Sequence, residues 1–221
     1  MSIKEWRLLF HYPLPLAVVG LVSIGAALSP TIHLDRLLIT YLLLFFGLVM
    51  AAYAFDAMYA DWRPMIKNIQ QWKLWTIALI GMSSFIGISI YAIITTSITG
   101  IVVALILITS VVCYNLEHPK WFHNKWGFGL SWGAASIVAS FYYQSLQVSW
   151  LMMPLAITGF ILAIQEWYTT NTKSPIQHYI NVLGVKESRR HVRKETFRIT
   201  SIYCYSILMI GITLLMWRFT W

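Results

Sequence analysis

The sequence predicts an all-α fold: one polytopic membrane bundle of seven transmembrane helices with a cytoplasmic N-terminus. Hydrophobic residues make up 58% of the 221 residues and charged residues only 11%, whereas an average soluble domain has about 25% charged residues. Seven apolar stretches approach the length of about 20 residues that a helix needs to cross a bilayer. Most of the Lys and Arg residues lie in the connections on one side of those stretches.

Each stretch is predicted to be helical, because a lipid-exposed chain must satisfy its own backbone hydrogen bonds. In chain order they cover about 8–28, 37–54, 74–94, 98–114, 127–146, 150–164 and 199–217, the fourth and sixth being the shortest. Tryptophans recur near their ends, as expected of rings at the headgroup level (Trp6, Trp75, Trp126, Trp150, Trp167, Trp217). The longest connection is cytoplasmic and covers 165–198. No shift in composition marks a second domain, so residues 1–221 are predicted to form a single membrane domain.

The basic residues orient the bundle. If the N-terminus and the connections after spans two, four and six share one face, that face carries fourteen of the sixteen Lys and Arg residues, and the other face carries Arg36 and Arg218. The positive-inside rule then puts Met1 inside and Trp221 outside, as seven crossings require. We expect a prokaryotic plasma membrane. The net charge of +8 is explained by this topology and by contact with anionic lipids, with no nucleic-acid partner.

Two further segments lead to structural expectations. Cys113 and Cys204 fall inside predicted spans, which favours packing over a disulfide. In the long connection, a short helix is predicted from Pro175 to Gly184, and the basic stretch KESRRHVRKETFR is predicted to run helically into the last span. This segment either lies on lipid phosphates or is an ordinary positive-inside loop.

Acidic residues at the cytoplasmic ends of the spans are the first candidates for chemistry, because ionisable groups at membrane depth are costly. Asp56 follows the second span in AAYAFDAMYAD, and Asp61 comes five residues later. Five helical residues are about 140° of rotation, so these two carboxylates would not share a face. Asp56 could equally end a helix or pair with Arg63. Glu166, at the end of the sixth span, would face the same cytoplasmic opening of the bundle as Asp56.

The connection between spans four and five concentrates polar groups in CYNLEHPKWFHNKWGFG. Its histidines and glutamate could bind a metal, but the spacing of His118 and His123 matches no strong ligand motif. A solvated loop explains them as well. In the fifth span, Gly129 and Gly133 form a small-xxx-small pair, which predicts close packing of helices more than contact with a ligand.

In this order the features resemble the UbiA superfamily of intramembrane prenyltransferases. YAFDAMYAD stands where the family's first Asp-rich motif ends the second helix, and CYNLEHPKWFHNKWGFGLSWGA resembles its connection between helices four and five with the glycine-bearing fifth helix. The resemblance runs over about 14–172. It implies that Asp56 is the metal-binding acid. It also implies that Tyr114 and Lys120 or Lys125 contact the diphosphate, and that Arg189 or Arg190 lies near a phosphate.

The chain also departs from that family. Ala52 and Ala60 flank Asp56 at the four-residue intervals where the family has acids, and Glu166 is the only acid where the second Asp-rich motif should be. Family members usually have nine helices, and this chain has room for seven. Two Mg²⁺ ions need several carboxylates. Mg²⁺ is therefore expected as a cofactor only if the chain is active.

Two functions remain open. The first is a UbiA-like scaffold that lacks standard Mg²⁺-dependent prenyl transfer and binds a neutral isoprenoid, a quinone or a lipid, or braces a larger membrane complex. The second is an active prenyltransferase that moves an isoprenyl group from a diphosphate to an aromatic or lipid acceptor. We favour the first because the acids are few. A retinal protein is excluded, because the last span has no lysine, and a haem carrier is disfavoured, because the histidines lie at helix ends or in loops.

Overall fold

The computed structural model describes residues 13–59, 69–95, 98–115, 120–122, 124–170 and 188–220. All regular structure in these ranges is helical. Seven helical rods follow one another there: α1 (Pro13–Ala27), α2 (34–59), α3 (Gln71–Ile94), α4 (Ile98–Asn115), α5 (125–145), α6 (Met152–Thr170) and α7 (Ser188–Thr220). A short 3₁₀ turn, Lys120–Phe122, lies between α4 and α5.

Each rod overlaps one of the seven apolar stretches. Among the described residues, three helices are long and apolar enough to cross a membrane by length and composition: Leu34–Phe55, Gln71–Ile94 and Arg198–Thr220. Pro15–Ala27 is a shorter apolar helix. The prediction that the basic stretch runs helically into the last span is confirmed from Ser188 onward, since α7 is one helix of 33 residues.

Two rods contain a π-helical segment that the sequence did not predict. In α2, Phe45–Ala52 lies between the α-helical parts Leu34–Leu44 and Tyr53–Tyr59. In α5, Gly129–Ala134 lies between Lys125–Phe128 and Ala135–Ser145. The first segment packs on α3 and the second on α6. Segments of this kind are rare and frequent at functional sites, and here both lie at contacts between helices.

The most extensive contacts of α1 are with α7 and α5. A Cβ placed on Gly20 would lie 2.6 Å from the Ile207 carbonyl oxygen, and one on Gly211 would lie 2.9 Å from the Gly20 Cα. The two backbones therefore touch where α1 crosses α7, as small residues allow in membrane bundles. On the α5 side, the Ser140 hydroxyl donates a hydrogen bond of 2.7 Å to the Val22 carbonyl oxygen.

Two arginines close one end of the bundle. Arg36 Nη1 donates a hydrogen bond of 2.8 Å to the Gln144 carbonyl oxygen near the end of α5, and the Gln144 side-chain oxygen accepts one of 2.6 Å from the His33 backbone nitrogen. Arg218 Nη2 donates to the Pro30 carbonyl oxygen over 2.7 Å. The connection between α1 and α2 therefore lies at the same end as the ends of α5 and α7. Cations near helix C-termini also interact favourably with the helix dipole.

Candidate functional site

Tyr114, at the end of α4, is packed among aromatic rings. It is buried, and its ring centroid lies 5.7 Å from that of Phe128 on α5. Phe128 in turn lies 5.4 Å from Trp167 on α6. Trp132 and residues of α1 and α2, among them Leu48, complete the same apolar cluster. The residue that the resemblance made a diphosphate contact therefore lies in the aromatic core of the bundle.

Lys125 has a different set of neighbours. Its ammonium donates a hydrogen bond to the Tyr168 hydroxyl, and it lies 5.0 Å from the ring centroids of both Trp126 and Tyr168. Trp126 also stacks on Phe160 of α6, with centroids 5.9 Å apart. Both rings beside the ammonium are about half exposed. Lys125 is therefore held between aromatic rings at the surface formed by α5 and α6.

Glu166 lies between α6 and α7. Only 3% of its surface is exposed, and its Oε1 is 3.9 Å from the Cys204 thiol of α7. One residue before that cysteine, the Tyr203 hydroxyl donates a hydrogen bond of 2.9 Å to the Leu162 carbonyl oxygen. The structure therefore places the Glu166 side chain in the contact between α6, which continues to Thr170, and α7. Cys113 and Cys204 are both free, as expected.

The two glycines of the fifth span face α6. A Cβ on Gly129 would lie 2.7 Å from the Phe160 ring, and one on Gly133 would lie 2.7 Å from the Ala163 Cβ. The Gly133 backbone also approaches Gly159 closely. These positions bring α5 and α6 together, and the space beside them is filled by α6 side chains.

Several predicted site residues lie wholly or partly outside the described residues. Asp61 and the predicted helix from Pro175 to Gly184 are outside them. For four others the structure gives only the backbone, at the last turns of α2, the 3₁₀ turn and the first turn of α7 (Asp56; Lys120; Arg189 and Arg190). Among the described residues, no group of three or more His, Cys, Asp or Glu is placed to hold a metal ion.

An apolar depression that the sequence analysis missed lies between α4 and the 3₁₀ turn. Its volume is about 480 Å³, it is open to the surface, and seven of the described residues line it (Leu105, Ile106, Thr109, Ser110, Cys113, Trp121, Phe122). A hint was present in the sequence, because Trp121 and Phe122 follow the end of the fourth span in a connection otherwise rich in polar residues.

No protein-family model, curated protein or solved structure matches this chain. The geometry alone therefore bears on its chemistry. Tyr114, Lys125 and Glu166 each contact a different set of neighbours: the aromatic core, the surface of α5 and α6, and α7. The depression on α4 brings together apolar side chains with a few hydroxyl and thiol groups. Such a lining suits an uncharged ligand.

Proposed function

We propose that this chain is a UbiA-like membrane scaffold that binds a neutral isoprenoid, quinone or lipid and lacks standard Mg²⁺-dependent prenyl transfer. The observation that carries the proposal is the depression of about 480 Å³ on α4. Ligand pockets usually have volumes of about 300–1,000 Å³ and are mostly apolar with a few polar groups. The proposed setting is a prokaryotic plasma membrane with the N-terminus inside, where the scaffold could also brace a larger membrane complex.

The lining of the depression favours a ligand without charge. None of the seven described residues that line it is charged. The hydroxyl group of Thr109 and the thiol of Cys113 can make one or two hydrogen bonds to a carbonyl or hydroxyl group, such as those of a quinone or a lipid ester. A diphosphate carries several negative charges and would need cations or bound metal at the same place. An isoprenoid tail needs only apolar contact, which Leu105 and Ile106 offer.

The small number of acids also disfavours Mg²⁺-dependent chemistry on a diphosphate. Mg²⁺-bound diphosphate is held by carboxylates from more than one element. In the first motif only Asp56 remains, and Ala52, one turn before it, is buried in the core. Glu166, the acid nearest to the place of the second motif, is directed at Cys204. The first motif therefore retains only one of its acids, and the acid nearest to the second motif is engaged within the bundle.

The ligand can be identified by extracting the purified protein and analysing the extract by mass spectrometry. We expect a neutral isoprenoid, quinone or lipid at near-stoichiometric amount. Ile106→Trp, which fills the depression, should lower that amount several-fold. Ile90→Trp is the matched control, because Ile90 is a similarly exposed isoleucine on α3 and should retain the ligand. Equal retention by both variants would place the ligand elsewhere and remove the main support for this function.

The alternative is an active prenyltransferase that uses an isoprenyl diphosphate and an aromatic or lipid acceptor. One observation favours it: Asp56 lies on α2 about one helical turn after the π-helical segment Phe45–Ala52, and such segments are frequent at functional sites. Mg²⁺-dependent turnover that requires Asp56 would establish this alternative.

A further inference from the structure

The start of α5 has the features of a second ligand site. Unlike the apolar depression, this site contains a charged group, the ammonium of Lys125. The half-buried ammonium of Lys125 has three N–H donors, and one of them is directed to the Tyr168 hydroxyl oxygen. Because that oxygen accepts, its own O–H proton is free to donate elsewhere. The ammonium therefore keeps two further N–H donors, the neighbouring hydroxyl keeps one O–H donor, and no acid among the described residues pairs with this lysine.

The aromatic rings hold these donors in position. The ammonium lies 5.0 Å from both the Trp126 and the Tyr168 ring centroids, a distance at which the ring faces attract a cation. Trp126 is itself fixed by stacking on Phe160. Both outer rings are about half exposed. Such amphipathic rings favour the boundary between lipid tails and headgroups.

The length of α5 puts the donors at that boundary. Its 21 residues (125–145) rise about 1.5 Å each, which gives about 31 Å. The hydrocarbon core of a bilayer is about 30 Å thick. In the seven-span arrangement on which this argument rests, Lys125 therefore lies at the level of the phosphate groups of the inner leaflet.

We propose that Lys125 and Tyr168, framed by Trp126, bind the phosphate group of an anionic phospholipid of the inner leaflet. The two non-bridging phosphate oxygens accept hydrogen bonds from the remaining N–H groups of Lys125 and from the O–H group of Tyr168, and the exposed parts of the rings contact the glycerol and the first methylene groups. A lipid is favoured over a soluble phosphate, because lipid phosphates are already concentrated at this level. The site is separate from the proposed neutral ligand and does not depend on that function.

Native mass spectrometry and thermal melting of the detergent-purified protein, titrated with phosphatidylglycerol, test this proposal. The wild type should retain at least one more phosphatidylglycerol than Lys125→Gln, and the lipid should raise its melting temperature. Lys125→Gln should weaken the apparent affinity about tenfold, since a hydrogen bond between charged groups contributes at least about 1.5 kcal/mol. Lys125→Arg should retain most of the effect. Tyr168→Phe, which keeps the ring and removes the hydroxyl, should give an intermediate loss.

The matched control is Lys73→Gln. Lys73 is also half-buried, and it lies 5.4 Å from a single ring, that of Trp72, so its loss should remove only the general attraction of a surface cation and weaken the apparent affinity by less than about fivefold. Three results would overturn the proposal: equal lipid retention in Lys125→Gln and the wild type, an equal loss in Lys73→Gln, or the same stabilisation by inorganic phosphate alone. The last result would indicate a soluble anion as the ligand.

Discussion

Replacing Gly133 by alanine tests the close packing of α5 on α6. An added Cβ would lie 2.7 Å from the Ala163 Cβ and 2.7 Å from the Gly159 carbonyl carbon. Both distances are about 0.7 Å short of the 3.4 Å at which ordinary contact begins. Backbone and Cβ atoms cannot rotate away, so the two helices must separate. Overpacking of this kind costs about 1–3 kcal/mol, and the better helix propensity of alanine returns about 1 kcal/mol.

Gly87→Ala is the matched control, because a Cβ at Gly87 of α3 meets no atom within 4 Å. This change gains the helix propensity without a clash. The two variants should therefore differ in stability by about 2 kcal/mol, the middle of the overpacking range. A chain of this size shifts by about 2–4 °C per kcal/mol, so their melting temperatures in the same detergent should differ by about 4–8 °C. Equal melting temperatures would show that α5 and α6 are not in backbone contact at Gly133.

Three further predictions concern the bundle. Arg36→Ala should lower the free energy of unfolding by about 1.5–3 kcal/mol, since charged hydrogen bonds to two carbonyl oxygens near the end of α5 are lost; a melting temperature within error of the wild type would refute this. Ser140→Ala should cost about 0.6 kcal/mol for the lost bond between α5 and α1, whereas Ser206→Ala, whose hydroxyl bonds its own helix, should cost less; the reverse order would count against the contact. A reporter fused after Trp221 should read as extracytoplasmic and one inserted at Lys186 as cytoplasmic, and reporters on the same side would exclude seven spans.

The positions of the helices could be predicted from the sequence because apolar stretches of sufficient length form helices wherever water is absent. The contacts between the helices could not be predicted from the sequence. The contact of Arg36 with Gln144 spans 108 residues, and the contact of Lys125 with Tyr168 spans 43. No local pattern encodes such pairs. The close helix packing at Gly129 and Gly133 was foreseen from the spacing of two small residues, but not the partner helix.

The polar candidates show a second limit of sequence reasoning. Tyr114, Lys125 and Glu166 are near one another in the predicted topology, because each ends or begins a span on the same side. Side chains on one helix end still point in different directions, and a rotation of about 100° per residue decides which neighbour each one meets. Trp167 and Tyr168 illustrate this, since one packs on Phe128 in the core and the other holds Lys125 at the surface.

We propose that this bundle binds a neutral ligand and does not carry out standard prenyl transfer. The most direct test incubates the purified protein with a panel of prenyl diphosphates and aromatic acceptors, with and without Mg²⁺, beside the Asp56→Ala variant. We expect no Mg²⁺-dependent product from the wild type and no difference between the two proteins. Clear Mg²⁺-dependent turnover that disappears in Asp56→Ala would contradict it and identify the chain as an active prenyltransferase.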